Sequence, residues 1–207
     1  MKKIIRCIVP FVCLFVCLPI FSWSYNLHPY VRTFSVNDGL SSGEVTNFSM
    51  DKYGRMWIST GMGFNLLNNG YLTSYTNFSN NGEHYLISRV FDIVAEEYAL
   101  VSTETGLLKF NPLDNAFSYV LYDDAPIIVT SMVKNGNDVY MFVPWLKSLL
   151  CYNMAKGNIS LAMAFPENSE FIFEKMVMLD PQSPVIIMAD ASKGVFQIDV
   201  VQNRISK

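Results

Sequence analysis

A motif that returns four times constrains this chain more than any other feature. Residues 58–67, 101–111, 143–153 and 189–199 each pass from a short apolar strand through a tight turn into a second strand. Anchored on Gly63, Gly106, Ser148 and Gly194, the copies stand 43, 42 and 46 residues apart. A period in the forties made of short β-rich pieces is the mark of propeller blades. One such sheet cannot cover both of its faces, so successive copies must stack side by side. The sequence therefore predicts an all-β fold of about four four-stranded β-propeller blades, an incomplete propeller following a signal peptide. The aromatic content, 15 Phe, 11 Tyr and 3 Trp, suits strands.

The first 24 residues read as a targeting segment. Lys2, Lys3 and Arg6 precede a 15-residue stretch without charge, Cys7 to Phe21, and Ser22-Trp23-Ser24 supplies small residues for cleavage after Ser24. The apolar part is short for a membrane span of about 20 residues. Removing three cations takes the formal net charge from −3 to −6. With no Lys/Arg run left, nucleic acid is excluded as a partner. Cys7, Cys13 and Cys17 leave with the segment, so Cys151 is expected as a free thiol and no intrachain disulfide can form.

Residues 25–207 then hold the blades, approximately 44–77, 87–121, 127–164 and 170–207. Residues 30–35 resemble the outer strand at 71–76, so they are expected to act as an N-terminal closing strand. Residues 204–207 begin an outer strand. The chain thus reads as the front part of a larger propeller, with a complete four-bladed protein as the alternative.

The run Asp51-x-x-Gly54-x-x-Trp57-Ile58-x-Thr60-x-x-Gly63 has an architectural account at each place. Gly54 supplies the hairpin turn, Trp57 is a plate for packing between blades, Thr60 can bond backbone at the next turn, and Gly63 admits a conformation or close approach that a side chain would block. Gly106 and Gly194 hold the corresponding places.

Other patterns carry little chemistry. Gly39-Leu40-Ser41-Ser42-Gly43 matches a hydrolase elbow, but the flank before Ser41 is a turn and a strand follows it. The two histidines, His28 and His84, and Cys151 have no metal-ligand spacing, so no metal, cofactor or catalytic residue is expected. Glu96-Glu97 and Asp123-Asp124 read as solvated turn charges, and 77–84 as a long polar inter-blade loop. The inner strands offer few acid/base groups: Arg89, Asp92, Glu174 and Lys175. Glycosylation sequons stand at Asn47, Asn77 and Asn158.

Residues 34–45 continuing to 51–60 resemble the "two-component regulator propeller" repeats found in the N-terminal sensor region of bacterial hybrid two-component systems. Gly43, Ser59 and Phe64 depart from the usual Asn, Gly and Leu. The resemblance implies a non-catalytic periplasmic sensor segment, in receptors whose histidine kinase lies outside these residues, and many such receptors sense oligosaccharides. Implied partners are an oligosaccharide, the rest of the propeller or receptor, and a second copy in a homodimer. It carries over no ligand-binding residue. A stand-alone exported binding module and a truncated receptor fragment without activity are the competing readings.

Overall fold

Short runs of alternating apolar and polar residues, broken by Gly, Asn and Asp turns, give this chain antiparallel strands. The computed structural model describes residues 31–80, 82–180 and 183–207. The expected signal peptide lies outside the described residues. Apart from residues 31–33, everything below belongs to the unit Phe34–Lys207.

A 3-10 turn, Val36–Asp38, precedes blade 1, which consists of β1 (Val45–Met50), β2 (Met56–Thr60), β3 (Phe64–Asn68) and β4 (Tyr71–Tyr75). A separate hairpin follows, β5 (Asn77–Asn80) and β6 (Glu83–Leu86). Blade 2 is β7 (Val90–Ala95), β8 (Ala99–Thr103), β9 (Gly106–Asn111) and β10 (Ala116–Tyr119). The two-residue strands β11 (Leu121–Tyr122) and β12 (Ala125–Pro126) turn through Asp123 and Asp124, both at positive φ. Blade 3 is β13 (Ser131–Asn135), β14 (Asp138–Val143), β15 (Ser148–Asn153) and β16 (Asn158–Ala164). Blade 4 is β17 (Phe173–Asp180), β18 (Ser183–Asp190), β19 (Gly194–Asp199) and β20 (Arg204–Ser206). All four blades are antiparallel meanders paired in chain order, so the fold is a four-bladed β-propeller. Among the described residues no helix is long and apolar enough to cross a membrane.

Each blade offers a leading face to the next blade and a trailing face to the one before. The leading face of blade 1 (Trp57, Phe64, Leu66) packs on the trailing face of blade 2 (Ile93, Val101, Leu108, Phe110). Val94, Leu100 and Leu107 of blade 2 pack on Met132, Val139, Met141 and Leu150 of blade 3. Phe142 and Leu149 of blade 3 pack on Met176, Ile186, Met188 and Phe196 of blade 4. Burying large side chains on this scale is the main stabilising contribution, about 1.5–3 kcal/mol for each fully covered aliphatic or aromatic residue. None of these three cores joins blade 4 to blade 1.

One hydroxyl crosses each junction to the inner-strand region of the next blade. Thr46 Oγ1 donates to Val90 O at 2.7 Å, Ser102 Oγ to Val129 O, and Thr130 Oγ1 to Phe173 O at 3.1 Å. Backbone bonds tie the turns to the following connection, with Gly63 N donating to Ser88 O at 2.9 Å and Leu107 N to Ile127 O at 2.8 Å.

Two sequence expectations change. Residues 31–35 carry no strand, and Tyr30 lies outside the described residues. The backbone N and Oγ of Ser35 instead donate to the Asp38 carboxylate at 2.9 and 2.7 Å, which draws the segment into the 3-10 turn. The polar segment 77–84 is not a plain loop. It makes most of the β5–β6 hairpin, which seats a nearly buried Phe78 on the outer edge of blade 2, its ring 5.5 Å from Phe117 and 5.7 Å from Tyr119.

Candidate functional site

The inner strands β1, β7, β13 and β17 begin around one opening, and that opening gathers residues from all four blades. A cavity of about 500 Å³ is lined there by Glu44, Val45, Thr46, Arg89, Phe91, Thr130, Ile172, Phe173, Glu174 and Lys175. Glu44 accepts an ion pair from Arg89 at 3.7 Å, with both side chains exposed. The Arg89 guanidinium lies 5.9 Å from the Phe91 ring centre. Lys175 Nζ lies 3.5 Å from Thr46 O, reaching from blade 4 to blade 1. The mouth thus offers cationic donors, carboxylate acceptors, two hydroxyls and apolar walls within one small concavity. That is the composition of a site for a compact polar ligand with some apolar surface.

Of the four inner-strand ionisable groups, Arg89, Glu174 and Lys175 face this mouth, and Asp92 does not. Asp92 is 2% exposed and its carboxylate is spent on structure. It accepts from Ile93 N at 2.8 Å, Met132 N at 2.7 Å, Ser131 Oγ at 3.4 Å and Asn47 Nδ2. It therefore binds the inner strands of blades 1, 2 and 3 together. Burial pushes its pKa up, against the opposing pull of the Met132 N–H, Lys175 and Asn47. The Asn47 amide, a sequon position, is committed to this contact. Nothing in the sequence period marked Asp92 or Asn47 as partners, because they meet across a blade junction.

Ser41 does not stand in a nucleophilic arrangement. Its Oγ accepts from Asn65 Nδ2 at 2.7 Å and lies 2.9 Å from Thr60 Oγ1. His84 pairs instead with Ser79 Oγ at 2.8 Å in the β5–β6 hairpin, and His28 lies outside the described residues. Among the described residues no group of three or more His, Cys, Asp or Glu side chains could hold a metal ion.

The repeat-motif residues sit in structural roles. Asp51, 6% exposed, accepts from Tyr53 N (2.9 Å), Arg55 N (3.0 Å), Arg55 Nε (2.7 Å) and Trp57 Nε1 (2.9 Å). Burial alone would raise its pKa, but the bonds from Trp57, Arg55 and Tyr53 outweigh that and hold it below the ordinary value. Gly54 turns that hairpin at φ +74°. Trp57 is fully buried, 5.9 Å from the Phe110 ring of blade 2. Thr60 Oγ1 donates to Gly63 O at 2.9 Å, and Thr103 Oγ1 to Gly106 O at 2.7 Å. In blade 4 Asp190 holds the turn before Gly194 by accepting from Ser192 N, Ser192 Oγ and Lys193 N. A β-carbon on Gly63 would stand 2.2 Å from Tyr75 O, so no other residue fits there.

At the opposite end of the inner strands, the paired carboxylates are not simply solvated. Glu97 takes Lys52 of blade 1 at 2.6 Å, and Glu96 takes Lys134 of blade 3. Adjacent residues at a hairpin tip point apart, so the pair links blade 2 to both neighbours. Cys151 is a half-buried free thiol. Burial, then Asp138, pushes its pKa up to about 11.

Residues 39–62 match the two component regulator propeller family, which bears out the repeat resemblance over that stretch. No curated protein matches the sequence. Among solved structures, the extracellular domain assigned to a hybrid two component system of B. thetaiotaomicron is 15% identical, with TM-score 0.57, covering 79% of this chain and 21% of that one. A second such domain from the same organism is 14% identical, with TM-score 0.63, covering 84% and 26%. The Neurospora crassa Pan2 WD40 domain is 13% identical, with TM-score 0.54, covering 80% and 49%. The chain spans about a quarter or less of the two-component extracellular domains it resembles.

Proposed function

We propose that this chain is a non-catalytic, extracytoplasmic sensor segment of a two-component receptor, and that the central mouth is its ligand site. The match of residues 39–62 to the two component regulator propeller family carries the reading. The fold shared with extracellular domains of two hybrid two component systems supports it. The ligand class we propose is an oligosaccharide released from a glycan. Sugar rings combine hydroxyls with apolar ring faces, and the mouth sets Arg89, Glu44, Glu174, Lys175 and Thr130 beside Phe91 and Ile172. Binding here would act as an input signal, with transmission through parts of the receptor beyond these residues. A non-catalytic role accords with Asp92 and Ser41, whose polar atoms are engaged by neighbouring protein groups.

The test is a glycan array followed by calorimetry on the exported chain. The proposal expects saturable binding of one oligosaccharide class, weakened at least tenfold by Arg89→Ala together with Lys175→Ala. Absence of binding across the array, or binding unaffected by both substitutions, would count against the site.

A further inference from the structure

In every blade the second strand runs back toward the mouth, so the turn into the third strand stands at the mouth end. Three of these turns are held by an oxygen on the last residue of the second strand: Thr60, Thr103 and Asp190. Blade 3 has Val143 in that place, which has no polar side-chain atom. Its turn is instead the 3-10 segment Pro144–Leu146, closed by Lys147 N donating to Pro144 O at 3.0 Å, with Lys147 at φ +47°. This different turn leaves the Trp145 side chain 58% exposed. The other blades close the same turn without an aromatic residue, so the fold itself does not call for an indole there. A bare indole offers a flat apolar plate with one N–H donor.

Pro144 and Lys147, on either side of the exposed indole, line a cavity of about 130 Å³ whose walls include Phe142, Phe165 and Phe171. Phe142 and Phe165 belong to the core between blades 3 and 4, which fixes that wall. Ile172 lines this cavity and the mouth alike, so the two are neighbours across one side chain. Two ammonium groups stand at the cavity. Lys147 Nζ donates to Glu167 O, and Lys193 Nζ donates to Glu170 O while lying 5.2 Å from the Phe171 ring centre. Among the described residues neither lysine forms an ion pair with a carboxylate. An ammonium has three donors, so each keeps donors for hydroxyl groups.

We infer that this cavity, with Trp145 and Lys147, is a second subsite that takes the next ring of an oligosaccharide whose first ring lies in the mouth. The inference rests on the reading of the mouth as an oligosaccharide site. Ile172 lies under the linkage between the two rings. The apolar face of the second ring lies on the Trp145 indole, and its hydroxyls accept from Lys147. Trp145 is thus a specificity-determining residue: the mouth alone accepts one ring, and the pair of subsites selects a chain of at least two.

The experiment is calorimetry on the full chain with the monosaccharide and the disaccharide of the class that the glycan array returns. The wild type is expected to bind the disaccharide at least tenfold more tightly. Trp145→Ala should weaken the disaccharide about tenfold and leave the monosaccharide unchanged, while Trp145→Phe, which keeps a ring, should retain most of the affinity. The side chain is exposed, so both variants should melt at the wild-type temperature. The disaccharide should also shift the tryptophan emission of the wild type, and the shift should vanish in Trp145→Phe, because Trp57 is fully buried. Equal affinity for the two sugars in the wild type would overturn the inference. So would an unchanged disaccharide affinity in Trp145→Ala, or an equal loss for both sugars. Either of these outcomes, with binding still weakened by Arg89→Ala and Lys175→Ala, sinks the second subsite and leaves the mouth standing. No binding by any sugar on the array removes the reading of the mouth and the second subsite with it.

Discussion

Removing the Asp51 carboxylate is the sharpest single test of how a blade is held. In Asp51→Ala, Trp57 Nε1 loses its acceptor inside a fully buried site, and Arg55, whose side chain is 15% exposed, loses its counter-charge. An unmet buried donor costs about 1–3 kcal/mol, and a bond to a charged group contributes about 1.5–3 kcal/mol. The two backbone donors of the surface hairpin can turn to water and add little. Because these bonds share one carboxylate they do not add, and the expected loss is about 2–4 kcal/mol of unfolding free energy. Urea unfolding followed by circular dichroism measures it, with an unchanged slope marking a pure stability effect. Trp57→Phe, made alone and together with Asp51→Ala, completes the cycle. The two should couple by about 1 kcal/mol or more, since the double variant has no orphaned indole. A loss below about 0.5 kcal/mol for Asp51→Ala, the range of ordinary surface changes, would refute the reasoning.

Acid unfolding should show Asp51 and Asp190 together. Both have depressed pKa values, with Asp190 at about 2, chiefly through the Ile172 N–H with smaller help from Ser192 and Lys193. Their stabilisation is complete above the unfolded carboxylate pKa of about 3.9 and disappears as pH falls through the folded values. Asp92, with a raised pKa, has the opposite sign and favours the folded state on the acid side. A melting temperature that does not fall between pH 5 and about pH 2 would contradict this assignment. Gly63→Ala should cost about 3 kcal/mol or more, because positive φ is joined by a clash with Tyr75 O. Gly82→Ala, at φ +83° with open space around it, should cost only about 1 kcal/mol, and chemical denaturation compares the two. Cys151 should react with iodoacetamide at pH 8 about a hundredfold more slowly than a free peptide thiol, because its pKa near 11 leaves little thiolate. A rate equal to the peptide's would show the thiol to be neither buried nor perturbed.

The period carried most of the architecture. Gly63, Gly106 and Gly194 recur because each turn forces positive φ, a need that leaves a residue-level mark. Strand alternation was legible for the same reason, since pleating fixes which side chains point to which face. The β5–β6 hairpin was not, because seven of its eight residues are at least partly exposed and only Phe78 signals a buried side. The closing strand at 30–35 was inferred from likeness to 71–76, but strand-like residues pair only where an edge receives them. The mouth was legible only in part. Arg89, Glu174 and Lys175 could be read as inner-strand charges, whereas the diversion of Asp92 into the junction of three blades depends on contacts 40 and 45 residues away in sequence. Local pattern does not encode those.

The account rests on sheets stacked side by side through aromatic contacts across blade junctions, and side-chain nuclear Overhauser effects test that directly. It predicts contacts between the Trp57 and Phe110 rings, whose centres lie 5.9 Å apart, and between Phe142 and Phe173, 4.9 Å apart. Finding both would place blade 1 on blade 2 and blade 3 on blade 4. Their absence from a folded sample, with these rings instead in contact only within their own strands' hairpins, would contradict the stacking.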